Sequence, residues 1–109
     1  MDNEQIIFEI IAHAGNARAK ATEAIEEAKK GKFEKSYDAL AEADDEIIKA
    51  HKIQNSIITQ EVNGVKCDIS LLLIHAEDHL MNSITTRDYA KEIIELYEKL
   101  FEMKNSRSN

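Results

Sequence analysis

The stretch Leu71-Leu72-Leu73-Ile74-His75-Ala76-Glu77-Asp78-His79-Leu80-Met81 decides how this 109-residue chain must be organised. Four consecutive large apolar residues advance about 100° each along a helix and so cover every side of it, whereas an ordinary amphipathic helix is apolar on one. One face of such a helix can pack within its own chain. The opposite face, Leu71, Ile74 and Met81, then needs another subunit or stands as an exposed apolar patch. The seam Leu71, Ile74, Asp78, Met81 follows the three-four alternation of a self-associating helix and sets a carboxylate where an apolar knob belongs. Under cyclic symmetry these carboxylates meet near the axis. Like charges in a partly dry seam repel, so they bind a proton or a cation, and Mg²⁺ suits a ring of oxygen ligands completed by water. The competing assignment makes Asp78 a solvated surface acid beside Glu77.

Outward from this stretch, apolar spacing divides the rest of the chain. Ile6, Ile7, Ile10, Ile11, Ala14, Ala17, Ala21, Ala24, Ile25 and Ala28 recur at three and four. They predict a first helix from about Asn3 to Lys30, opened by a reciprocal cap between Asp2 and Gln5 and closed at Gly31. A second stripe of Phe33, Tyr37, Leu40, Ala41, Ile47, Ile48, His51, Ile58 and Val62 carries the same period to Asn63-Gly64. After that turn Asp68 or Ser70 can cap a third helix of about 35 residues, which opens on Ile69 and Leu71 and continues through Ile93, Leu96, Leu100 and Phe101. Gly15 inside the first helix costs about 1 kcal/mol relative to alanine, so a close helix crossing is expected there. The tail, residues 104–109, has no apolar residue and is expected to fray. The expected architecture is all-α: an antiparallel three-helix bundle in a single domain, residues 1–103, that associates with copies of itself.

Composition agrees and excludes alternatives. There is no proline, and the three glycines fall at 15, 31 and 64, which removes the turn punctuation that a β sandwich or barrel requires. A net charge of -7 works against binding nucleic acid over a broad surface. Cys67 is the only cysteine, so no intrachain disulfide forms, and its polar surroundings make it an incidental loop thiol. No 18-residue apolar run and no cationic-apolar leader is present, so a soluble cytoplasmic protein without membrane insertion is expected.

Four histidines occur, at 13, 51, 75 and 79. His75 and His79 are four apart and share one helical face. Such a pair can ligate zinc, and His-x-x-Asp-His superficially resembles a reversed zinc-protease motif, but the 30 residues after His79 offer no recognisable third-ligand motif. The pair can also be structural, half-buried and donating to carbonyls. The third possibility is nucleophilic: neutral imidazole, abundant at pH 7 because its ordinary pKa lies near 6.5, accepts a phosphoryl group on one nitrogen while a hydrogen bond to the other fixes its tautomer. Phosphoryl transfer needs mainly in-line positioning and electrostatic accommodation, so a histidine on a rigid helix in a shallow apolar rim suffices. The chain has no phosphate-binding glycine loop and no dinucleotide fingerprint, which suits a phosphohistidine carrier better than a kinase.

The segment Leu72-Leu73-Ile74-His75-Ala76-Glu77-Asp78-His79-Leu80-Met81 resembles the active-site helix of the enzyme IIA component of the lactose/cellobiose family of the bacterial phosphoenolpyruvate-dependent sugar phosphotransferase system. Supporting segments are Ala14-Gly15-Asn16-Ala17-Arg18, Gly31-Lys32-Phe33, Ala50-His51-Lys52-Ile53-Gln54 and Glu95-Leu96-Tyr97, in the family's order. The resemblance implies a homotrimer of three-helix subunits that takes phosphate from the phosphocarrier HPr and passes it to a cysteine of the cognate IIB component. It implies phosphate on Nε2 of His75, a supporting or structural His79, and an Asp78 that meets its two symmetry mates and shares one Mg²⁺ per trimer. His51 and Gln54 match family positions but fit packing and polar satisfaction on a core-facing stripe. His13 is expected to be a partly exposed structural histidine, and Arg18 to pair with an acid in preference to reaching phosphate. The rival from another class is a non-catalytic helical oligomeric adaptor whose histidines are structural. The sugar, a β-linked disaccharide such as cellobiose, chitobiose or lactose, is not legible, because the subunit never touches it; the look of residues 13–18 leans to the cellobiose/chitobiose side.

Overall fold

In a computed structural model, which describes residues 3–107, the chain forms three helices: α1 Asn3–Lys29, α2 Phe33–Val62 and α3 Leu71–Arg107. Asp2, expected to cap α1, lies outside the described residues. Two turns separate the helices, and both rest on the same device. At the first, Gly31 N–H donates to Ala28 C=O at 3.0 Å and Lys32 N–H to Glu27 C=O at 3.0 Å; at the second, Gly64 N–H donates to Glu61 C=O at 3.1 Å and Val65 N–H to Gln60 C=O at 2.9 Å. These crossed bonds satisfy carbonyls that a helix end leaves open, and they require a left-handed residue, which glycine supplies at φ 78° for Gly31 and 87° for Gly64.

Cross-helix polar contacts define the topology. Ser36 Oγ donates to Ala24 C=O at 2.6 Å and His13 contacts Glu46, so α1 and α2 run antiparallel. Arg87 grips Asp44 with two bonds, Nε to Oδ1 at 2.6 Å and Nη2 to Oδ2 at 3.0 Å, while Tyr37 bonds Glu98 and Gln54 bonds Glu77, so α2 and α3 are antiparallel as well. The result is the expected all-α antiparallel bundle, a rod of 65 × 20 × 20 Å.

Small side chains make the core. Ala14, Ala17, Ala21, Ala24 and Ala28 of α1 are fully buried, as are Ser36, Ala43 and Ala50 of α2 and Ala76, Ser83 and Ala90 of α3. The seven-residue steps in α2 and α3 keep the small stripe facing its neighbours along the rod, as in a gently supercoiled bundle. Large residues close the two ends: Leu40, Ile94, Phe33 and Tyr97 at one, Ile7, Ile10, Leu80, Leu72 and Leu73 at the other. The second end carries the His75–His79 segment.

Three sequence expectations change. Gly15 is exposed, and a Cβ there would meet nothing within 4 Å, so no close crossing accounts for it. The second stripe was phased on large residues, yet Ile48, Ile58 and Val62 are 51%, 48% and 80% exposed, because alanine and serine take the inward positions. The helix also continues through residues 104–107 of the tail expected to fray. No proline or glycine stops it there, and adding residues to an existing helix is easier than nucleating one.

The two turn glycines are not equivalent. At Gly64 an added Cβ meets nothing within 4 Å, whereas at Gly31 it would lie 2.7 Å from Cε1 of Phe101. Gly64→Ala should therefore cost about 1–2 kcal/mol, the left-handed penalty alone, and Gly31→Ala about 1 kcal/mol more through displacement of the Phe101 ring. Urea unfolding of both variants checks the order, and equal losses would show that the ring moves freely.

Candidate functional site

The site begins with the cap of α3. Ser70 rather than Asp68 performs it: Ser70 Oγ accepts from Leu73 N–H at 3.1 Å, and Ile74 N–H donates to Ser70 C=O at 3.1 Å. The helix consequently opens at Leu71 and leaves Ile69 outside, 79% exposed. This register buries Ala76 and Leu80 against Ile7, Ile10 and Ala50 and turns Leu71, Ile74 and Asp78 away from the bundle.

The outward face carries large apolar side chains along the length of the helix. Leu71 is 83% exposed, and Ile74, Met81, Tyr89, Leu96, Leu100 and Met103 are each at least half exposed. At 3.6 residues per turn these side chains and Asp78 fall within an arc of about 100°. An apolar stripe of this length on a lone chain marks a contact surface. Near its start lies an open groove of about 750 Å³ lined by Leu71, Leu72, Ile74, His75, Glu77, Asp78 and Met81.

His75 stands exposed at the groove, and His79, one turn on, is half-buried. Their Nε2 atoms are 3.1 Å apart and the rings meet edge to face, with centroids 4.5 Å apart. Asp78 projects from the apolar stripe and makes no hydrogen bond or ion pair among the described residues. Glu77, to which the sequence reading gives no role, is held on the other side by a hydrogen bond donated by Gln54 Nε2. That bond joins residues 23 apart and depends on helix register, so no local sequence signal announces it.

The remaining candidates separate from this cluster. His51 is exposed, not core-facing, because its neighbour Ala50 takes the inward position. Arg18 is exposed and makes no ion pair among the described residues. Cys67 is half-buried in the α2–α3 turn, its Sγ 3.8 Å from Asp68 C=O. Among the described residues no three His, Cys, Asp or Glu side chains cluster to hold a metal. No helix among them is long and apolar enough to cross a membrane.

Known proteins share this fold. Residues 5–98 match the family described as "PTS system, Lactose/Cellobiose specific IIA subunit". The chain is 50% identical over 103 residues to the lichenan-specific phosphotransferase enzyme IIA component of Bacillus subtilis, with 94% of each chain covered. It superimposes on the crystal structure of the PTS cellobiose-specific enzyme IIA from Bacillus anthracis with a TM-score of 0.90, 47% identity and 94% of each chain. The solution structure of the IIA(Chitobiose)–HPr complex of Escherichia coli gives a TM-score of 0.81 at 33% identity, covering 92% of this chain and 97% of that one.

His13 is half-buried and joins α1 to α2 through Glu46. Its Nδ1–H donates to Glu46 Oε2 at 2.6 Å, with both side chains half-buried. That hydrogen bond holds the Glu46 carboxyl below its ordinary 4.5, burial opposing and Lys49 assisting. A carboxyl lowered on folding contributes stability above its unfolded pKa and loses it as pH falls through the folded one. Wild type should therefore exceed Glu46→Gln by about 1 kcal/mol near neutral pH, the gap closing in acid below that ordinary value. Urea unfolding at both pH values checks this, and a gap that persists in acid would contradict it.

Proposed function

The chain belongs to the lactose/cellobiose-specific IIA family of the sugar phosphotransferase system, and from that premise we propose that it is a phosphocarrier acting through His75. It accepts a phosphoryl group from phosphorylated HPr and passes it to a cysteine of its cognate IIB component, for uptake and phosphorylation of a β-linked disaccharide through the membrane IIC transporter. The observation that carries this reading is the position of His75: exposed at the mouth of an apolar groove, on a helix anchored by buried Ala76 and Leu80. HPr as donor is supported by the likeness to a IIA chain in complex with HPr. The names of the lichenan-specific and cellobiose-specific relatives support a cellobiose-type sugar. The carrier works in the bacterial cytoplasm, where its donor and acceptor proteins meet.

The chemistry asks little of the protein beyond position. Nε2 of His75 attacks phosphorus in line as the bond to the donor breaks, and the transition state is loose, so a fixed nucleophile and an open approach account for most of the effect. Rigidity comes from the helix. Access comes from its place at the rim, where a partner protein can cover the groove and exclude water.

The apolar stripe supports a homotrimer built through α3, which buries Leu71, Ile74 and Met81 against their symmetry mates. Asp78 then lies between apolar neighbours with no hydrogen-bond or ion-pair partner among the described residues of its own chain, and its carboxylate is a hard oxygen donor of the kind Mg²⁺ takes. Three copies of Asp78 would hold one such ion per trimer. The ion would supply charge neutralisation at the interface, and the phosphoryl chemistry stays with the histidine. The alternative, a non-catalytic oligomeric adaptor, draws on the same stripe but leaves the exposed His75 without a task.

Two outcomes follow. Incubation with phosphoenolpyruvate, enzyme I and HPr should place acid-labile phosphate on the wild-type chain and none on His75→Gln; normal labelling of that variant would remove His75 from the mechanism. Asp78→Leu replaces three repelling acids with apolar surface and should give an assembly at least as heat-stable as wild type in the presence of EDTA. Dissociation of that variant would show that metal bridging, not packing, holds the subunits.

A further inference from the structure

His75 and His79 face one another through Nε2 but differ in what surrounds the other nitrogen. Nδ1 of His79 is shielded from solvent and has no hydrogen-bond partner among the described residues, whereas its Nε2 lies 3.1 Å from Nε2 of the exposed His75. A neutral imidazole carries one N–H and one lone pair. An N–H buried at Nδ1 without an acceptor loses its hydration and gains nothing in return, and such orphaned donors are rarer in proteins than under-satisfied acceptors. The same proton on Nε2 has an acceptor at hydrogen-bond distance.

We propose that burial of Nδ1 locks His79 in the Nε2–H tautomer, which bars it from accepting phosphate and makes it the donor that steadies the phosphoryl group on His75. A histidine nucleophile needs a lone pair at the attacking nitrogen. On His79 the one lone pair points into the protein and no phosphoryl donor can reach it. On His75 the lone pair sits on the nitrogen at the groove, aligned by the His79 N–H, and the ring hydrogen is on Nδ1.

The consequence for transfer rests on His75 being the acceptor. As its Nε2 lone pair forms the N–P bond, the bond from phosphorus to the donor breaks and the donor atom keeps that electron pair. No proton has to leave Nε2. The His79 N–H, having lost the lone pair it held, turns to a phosphoryl oxygen a bond length further out, where it meets negative charge and forms a stronger, charge-assisted bond. The buried nitrogen therefore decides which of two adjacent histidines is the nucleophile.

Long-range ¹H–¹⁵N correlation spectra of the unphosphorylated, ¹⁵N-histidine-labelled wild-type protein, at a pH where both rings are neutral, read the tautomers directly. The expected result is an Nε2–H His79 and an Nδ1–H His75; an Nδ1–H His79 would overturn the proposal, and neither result depends on phosphotransfer. For the second half, His79→Leu should slow phosphorylation of His75 by HPr about tenfold, the loss of one hydrogen bond to a charged group. His79→Gln, whose amide still donates, should recover most of the rate. Equal rates for His79→Leu and wild type, or no difference between the Leu and Gln variants, would contradict the donor role. Should the Leu variant fail to fold, the wild-type spectrum decides the lock and the Gln variant, at near wild-type rate, the donor. Phosphate retained by His75→Gln would overturn the choice of acceptor and leave the tautomer result standing.

Discussion

An apolar face that the chain cannot cover by itself governs this molecule. Helix α3 buries alanine, serine and leucine against α1 and α2 and leaves leucine, isoleucine and methionine pointing outward. The inversion follows from a core of small side chains: alanine at nearly every inward position of α1 lets three helices lie close together, but it buries little apolar area per residue. Burial of the outer stripe between copies of the chain would add the missing area. It would also bring Asp78, the one charge near the start of that stripe, into the interface, where its repulsion would have to be offset.

The same helix arranges the chemistry. Residues four apart share a face, so the turn that exposes His75 half-buries His79, and two identical side chains acquire different surroundings within one turn. The ends of the bundle divide the labour. The Gly31 end is closed by Phe33, Tyr97 and the Phe101 ring over the turn. The end beside Ser70 carries the groove, both histidines and the Gln54–Glu77 bond. A glycine turn and a serine cap set the register of α3, and the register selects which side chains meet the groove.

Much of this was legible in the chain. Helix type and number followed from spacing, and Gly31 and Gly64 marked both turns because each must adopt a positive φ. The motif His75 to His79 announced the family before any coordinates. Other features depended on packing partners that a single helix does not reveal. His51 was assigned to the core because large apolar neighbours set the phase, whereas the bundle took its phase from alanines. Gly15 had no crossing to explain it, and the structure offers no physical account of it. The Gln54–Glu77 bond and the burial of His79 Nδ1 arise from contacts between helices and carry no local signature.

The central claim is that the outer stripe of α3 is an interface between copies of this chain, with His75 at its edge. Sedimentation equilibrium of the wild-type protein at micromolar concentration tests it most directly. The account requires a single species of three times the 12.4 kDa chain mass. A stable monomer with α3 exposed along its length would contradict it.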